Sequence, residues 1–249
     1  MSFTGFDHVQ TIKTVQWLGN VYKKQNKLAE AELFYIRALK SSELMNGMTH
    51  IETVRLVNST AILLKRQGRL VDAEIMYKRA LDGYEKIGGT DSRDALATRN
   101  NLGILCKARN DTKRAREFYD AALHGRQKLL GKMNSSLFFV LPFLLYHSLF
   151  TPSHSDPPPT ISKFTLLSSH TDASSYELLR SGEEHTDTLC TMNNIGVLLS
   201  DQGNLEEAET IFEKVFMGFT KSCGETHVET IRAKNNLLLL RKRKTTAAT

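Results

Sequence analysis

Proline is almost confined to one stretch. All five (Pro142, Pro152, Pro157, Pro158 and Pro159) fall within 134–180, so no proline breaks a helix elsewhere in the 249 residues. Cysteine is scarce as well: Cys106, Cys190 and Cys223 form no close pair and no Cys-x-x-Cys. That excludes a disulfide framework and points to a reducing, cytoplasmic setting. The opening Met1-Ser-Phe-Thr-Gly-Phe-Asp lacks the basic and apolar regions of a secretory leader, which makes the glycosylation-type triplets at Asn58 and Asn134 incidental. The longest apolar run, 137–150, is interrupted by Pro142 and His147 and falls short of the roughly 20 residues of a membrane span. A membrane is therefore not expected as a partner.

Charge of one sign is only mildly in excess, with 33 Lys and Arg against 27 Asp and Glu, a formal charge of +6 and a pI near 9.2. Acids are interleaved with bases throughout, and no aromatics alternate with the basics as a base-stacking surface requires. Nucleic acid is not expected either. Catalytic constellations are missing. Gly125-x5-Gly131-Lys132 has one residue too many for a phosphate loop and is followed by Met133. His8, His50, His185 and His227 stand at repeat boundaries, and no His-Glu-x-x-His or Cys/His cluster accompanies them. The sequence reads as non-enzymatic, with no cofactor and no metal.

What the chain has is repetition. Trp17-Leu18-Gly19, Gln25-Asn26-Lys27, Ala31-Glu32 and Tyr35 recur as Gln67-Gly68-Arg69, Ala73-Glu74 and Tyr77, then as Asn101-Leu102-Gly103, Ala115-Arg116 and Tyr119. They recur again as Asn194-Ile195-Gly196, Gln202-Gly203-Asn204, Ala208-Glu209 and Phe212, and a fifth copy begins after Gly224. His8 to His50, His50 to Ser92 and His185 to His227 are each 42 residues. A period of that size defines stacked two-helix units rather than a single core. Apolar and small residues fall at helical spacing in both halves of each unit, and the polar turn between them places Gly where a left-handed residue ends a helix. Small residues at Gly19, Ala61, Gly103, Ala31, Ala73, Ala115 and Ala208 predict close helix approach. Thr53 and Asp94 are placed to cap the helices that follow them, and a first helix is predicted over 11–25.

Leu18-Gly19-x2-Tyr22 and Ala31-x3-Tyr35-x2-Ala38 resemble the tetratricopeptide repeat, as does Ala73-x3-Tyr77-x2-Ala80, although Thr60-Ala61 replaces Leu-Gly there. The 42-residue period, Asn100-Asn101-Leu102-Gly103 and the Gly-x-x-His boundary are similar to the kinesin-light-chain variant, and Arg79-Ala-Leu-Asp-Gly-Tyr-Glu-Lys86 to fungal tandem arrays. The resemblance covers about 8–131 and 183–240. It implies an all-α, right-handed solenoid of antiparallel helix pairs that acts as an adaptor or scaffold. An alternative it leaves open is a regulatory repeat fragment of a larger nucleotide-dependent switch protein.

Three segments are expected: repeats one to three over 1–131, an insert over 132–182, and repeat four with a partial fifth and a basic tail over 183–249. The insert is rich in Pro and Ser. Ser92 to His185 is 93 residues, which is one period of 42 plus 51, and removing 132–182 rejoins Gly131 to Glu183-Glu184-His185, a boundary of the Gly-x-x-His form. Two readings stand, a flexible loop or a translated intron. In the fifth copy a helix is expected over 230–240, with Arg241-Lys242-Arg243-Lys244 complementing its dipole and 237–240 leaving an apolar face uncovered.

On the first helix of each repeat one column reads Gln16, Asn58, Asn100, Asn193 and Asn235; seven residues on, a second reads Lys23, Lys65, Lys107, Ser200 and Lys242. Asn both donates and accepts, so such a column can pair with the backbone of an extended peptide, and the Lys row favours an acidic one. The resemblance implies the same, since the inner groove of kinesin light chains takes acidic cargo peptides. The competing reading is that Asn bonds between neighbouring helices while Lys is a solvated face.

Overall fold

The computed structural model describes residues 9–129 and 185–247; the insert over 132–182 lies outside them. The described residues are helical, in the order α1 (Val9–Lys24), α2 (Leu28–Asn46), α3 (Ile51–Arg66), α4 (Leu70–Lys86), α5 (Arg93–Ala108), α6 (112–129), α7 (Thr186–Asp201), α8 (Leu205–Cys223) and α9 (Val228–Ala247). The chain divides into two compact units, Met1–Leu123 and His124–Thr249.

Within each repeat the turn is the same. The residue at the turn has positive φ (Asn26, Gly68, Asn110, Gly203), and the next amide reaches back to a carbonyl five residues earlier, Lys27 to Tyr22, Arg69 to Leu64, Asp111 to Cys106 and Asn204 to Leu199. This closure satisfies carbonyls that the helix end would otherwise leave bare, and Asn or Gly is there because each tolerates the left-handed backbone.

Helix pairs in the first unit close on a ladder of small residues and rings. Ala31, Ala73 and Tyr35, Tyr77 are fully buried, and a Cβ at Gly103 would lie 2.5 Å from the Tyr119 ring. The second unit repeats this, with a Cβ at Gly196 2.7 Å from Phe212. Close approach is thus the reason for glycine mid-helix at these two positions, where it costs about 1 kcal/mol of propensity. Gly19 is looser, with its nearest neighbours at 3.4 Å.

Three local expectations are corrected. The N-caps of α3, α5 and α7 are His50, Ser92 and His185, whose side chains accept from the amides of Glu52, Ala95 and Asp187. Thr53 and Asp94 are inside the helices: Thr53 is buried against Ser42, their hydroxyls 2.8 Å apart, and Asp94 takes the Arg55 guanidinium at 2.8 Å. α9 begins at Val228 and runs through the basic run, and Arg241 and Lys244 bond Glu209 of α8, each at 2.7 Å, instead of serving only the helix end. Leu237 and Leu240 are buried; Leu238 and Leu239 are the exposed pair.

Candidate functional site

In the first unit α1, α3 and α5 lie side by side, tied by polar bridges. Arg66 of α3 donates to the Lys23 carbonyl at 3.1 Å and to the Asn26 side chain at 3.3 Å; Arg55 of α3 reaches Asp94 of α5. Along these helices Gln16, Asn58, Asn100 and, two turns on, Lys23, Lys65 and Lys107 are all half-buried. The Asn58 side-chain oxygen accepts from the Thr98 hydroxyl at 3.1 Å, so this Asn also serves as a tie between helices.

Lys23 and Lys65 differ from five arginines of the unit. Arg55, Arg69, Arg79, Arg109 and Arg114 each hold a carboxylate. Lys23 instead donates to the Asn20 side-chain oxygen at 3.3 Å and stands 5.3 Å above the Tyr35 ring. Lys65 has no carboxylate against it among the described residues. Burial holds the pKa of both below the ordinary lysine value, and the charges of Arg66 and Lys24 add to the effect at Lys23. A partly desolvated ammonium without an anion favours the approach of one.

In the second unit Asn193 is half-buried and its oxygen accepts from Asn236 at 2.9 Å, while Asn235 is exposed. Two turns on, Ser200 accepts from Arg243 at 3.2 Å and Lys242 is exposed. Among the described residues no group of three His, Cys, Asp or Glu is placed to hold a metal, and no helix is long and apolar enough to cross a membrane.

A further set of residues escaped the sequence reading. The Glu of each Ala-Glu pair receives side chains from the following repeat: Glu32 from Arg69 at 2.7 Å and Gln67 at 2.8 Å, Glu74 from Arg114 at 2.8 Å and from Arg109, and Glu209 from Arg241 and Lys244. Repeat three has Arg116 at this position, which turns to Asp120 on its own helix at 2.8 Å. The recurrence of Ala-Glu was visible, and one partner of each Glu stands 35 residues on, at Gln67, Arg109 and Lys244; the three are different residue types, so no repeated motif marks them.

Antiparallel helix pairs of 42-residue period, closed by an Ala and aromatic ladder, define an all-α solenoid of repeats. Two family models, both described as tetratricopeptide repeat, match 52–128 with 177–244 and 18–52, and the chain belongs to the tetratricopeptide-repeat family. Repeats of this family generally mediate protein–protein interaction and are typically non-enzymatic scaffolds. No curated protein matches the sequence. Among solved structures the fold is similar to BtubC (BKLC) from P. vanneervenii, with a TM-score of 0.64 and 17% identity over 94% of this chain and 72% of that one. Nearly identical TPR-like repeats of kinesin-light-chain type from Podosopora anserina give 0.46 and 13%, over 87% of this chain and 98% of theirs.

Proposed function

We propose that the protein is an interaction module whose first unit binds an acidic, extended peptide along the inner face of α1, α3 and α5. Gln16, Asn58 and Asn100 meet its backbone, and Lys23, Lys65 and Lys107 meet its carboxylates. Asn193 and Asn235 supply the corresponding column of the second unit. The observation that carries this reading is Lys65: a half-buried ammonium, lowered in pKa by burial, with no carboxylate among the described residues, while Arg55, Arg69, Arg79, Arg109 and Arg114 each have one. The role of Asn58 in holding Thr98 does not compete, because a side-chain amide still has two N–H donors to offer.

Charge reversal of the row tests it. A fluorescein-labelled oligoglutamate peptide binds the wild-type chain, and the triple variant Lys23→Glu, Lys65→Glu, Lys107→Glu loses at least about tenfold in affinity, which is about 1.4 kcal/mol. Helical circular dichroism stays unchanged because the three side chains lie outside the buried core. Equal affinity for both proteins, with the variant folded, overturns the proposal.

A further inference from the structure

The basic run Arg241-Lys242-Arg243-Lys244 is only half used inside the fold. Arg241 and Lys244 are held by Glu209, with Glu213 also on Arg241 and Glu206 on Lys244. Lys242 is exposed, and Arg243 is 62% exposed, with the Ser200 hydroxyl at 3.2 Å and the Asp201 carboxylate at 4.0 Å. Directly after the run stand Thr245 and Thr246, both exposed in the last turn of α9. Their hydroxyls are turned onto the helix's own carbonyls: Thr245 donates to Lys242 at 2.8 Å, and Thr246 reaches Lys242 and Arg243 at 3.1 and 3.0 Å.

A hydroxyl with two bases shortly ahead of it suits an enzyme whose substrate groove is lined with carboxylates, as in kinases that read Arg on the N-terminal side of the residue they phosphorylate. Thr246 has Arg243 three residues ahead and Lys244 two ahead. Among the described residues one other Ser or Thr, Thr112, has Arg three ahead, but Asp111 adjoins it and Arg109 is held by Glu74. Thr245 has Lys242 in that place, and an ammonium lacks the bidentate fork of a guanidinium. The turn that carries Thr246 is also the one that opens most cheaply, because helix ends fray well below the global unfolding free energy.

We propose that Thr246 is a phosphorylation site for a basophilic serine/threonine kinase, and that the phosphate undoes the last turn of α9. The Thr246 Oγ1 attacks the γ-phosphorus of ATP, the bond to the bridging oxygen breaks, ADP leaves, and the hydroxyl proton passes to the kinase's base. What remains is an ester oxygen with no proton to give. Both carbonyl contacts are therefore lost, and a charge of about −2 stands at the negative end of the helix dipole. Lys242 and Arg243, one turn back, attract the dianion, but at exposed positions where salt screens them. With the turn open, Lys244 exchanges Glu209 for the phosphate, while Arg241, further inside the helix, keeps its pair.

The test uses the full chain, Mg-ATP and the catalytic subunit of the cyclic-AMP-dependent protein kinase. Tandem mass spectrometry is expected to place one phosphate on Thr246. Thr246→Ala abolishes incorporation, Thr245→Ala keeps it, and Arg243→Ala slows it at least about tenfold; all three side chains are exposed, so helical circular dichroism stays unchanged. In the 15N-labelled chain the phosphorylated form loses its helical amide shifts over 243–247 and keeps them over 228–240. No incorporation, a phosphate on Thr245 or elsewhere instead, equal rates for Arg243→Ala and wild type, or a terminal turn still helical after phosphorylation overturns the proposal. The result is independent of peptide binding by the first unit, since no residue of α1, α3 or α5 takes part.

Discussion

Tyr35, Tyr77 and Tyr119 occupy one position in successive repeats, yet their hydroxyls meet different surroundings. The Tyr35 hydroxyl donates to the Asn20 side chain, and burial raises its pKa to about 12. One repeat on, Asn20 is replaced by Ile62, and the Tyr77 hydroxyl is buried with no partner among the described residues. A lost hydrogen bond costs about 1 kcal/mol, whereas removing a buried group that makes none costs nothing or gains. Tyr35→Phe is therefore expected to lower stability by about 1 kcal/mol and Tyr77→Phe to leave it level or raise it. Urea denaturation read at the transition midpoint checks both; equal losses would contradict the pairing. The ring positions were legible in the sequence because the Ala-x3-aromatic spacing fixes them, but the fate of each hydroxyl depends on a residue fifteen positions away.

At the scale of elements the repeats are latched through the Ala-Glu glutamates. Glu74, 8% exposed, accepts from Arg114 and pairs with Lys78 at 2.9 Å, and these hydrogen bonds bring its pKa down to about 2 from 4.5. A carboxylate lowered on folding stabilises fully above its unfolded value, and the stabilisation is lost as pH falls from about 4.5 towards 2. With its guanidinium partners 39–41% exposed, screening leaves an expected contribution of about 1–2 kcal/mol. Thermal midpoints at pH 7 and pH 3 should accordingly differ less in Glu74→Gln than in wild type, and an unchanged difference would contradict the latch. Helix pairing was readable from periodicity, down to the left-handed turn residues. Caps were misread at Thr53 and Asp94, because the sequence offers several capping types within four residues and only the backbone selects His50 or Ser92. In α9 the basic run was assigned to the helix end since its partners, Glu209 and Glu213 of α8, sit one helix away. Leu238 holds the position of Gly103 and Gly196, where even a Cβ would press on the ring of the following helix; α9 thus cannot take a second helix as closely as α7 takes α8.

Across the whole molecule the family and the fold follow from a single number, the 42-residue period, because a repeat cannot bury its apolar face except against its neighbours. The columns could be placed on the helices from the period alone, but not their surroundings: Asn58, Asn100 and Asn193 are half-buried whereas Asn235 is exposed. The cavity lined by Ile12, Gln16, Ser42 and Leu56 was not legible, for it lies where Ser42 stands in place of the buried rings Tyr84 and Phe219 of other repeats, and that change alone reads as ordinary variation. The same regularity that revealed the array hid the place where it is broken. The account's central claim is that the first unit receives an acidic peptide on the inner face of α1, α3 and α5. It is tested most directly by mapping amide shifts of the 15N-labelled chain on addition of an oligoglutamate peptide. The account predicts shifts clustered at Lys23, Asn58, Lys65 and Lys107 that weaken with added salt, as screening of charge requires. Shifts confined to the outer faces of α2 and α4, or none at all, would contradict it.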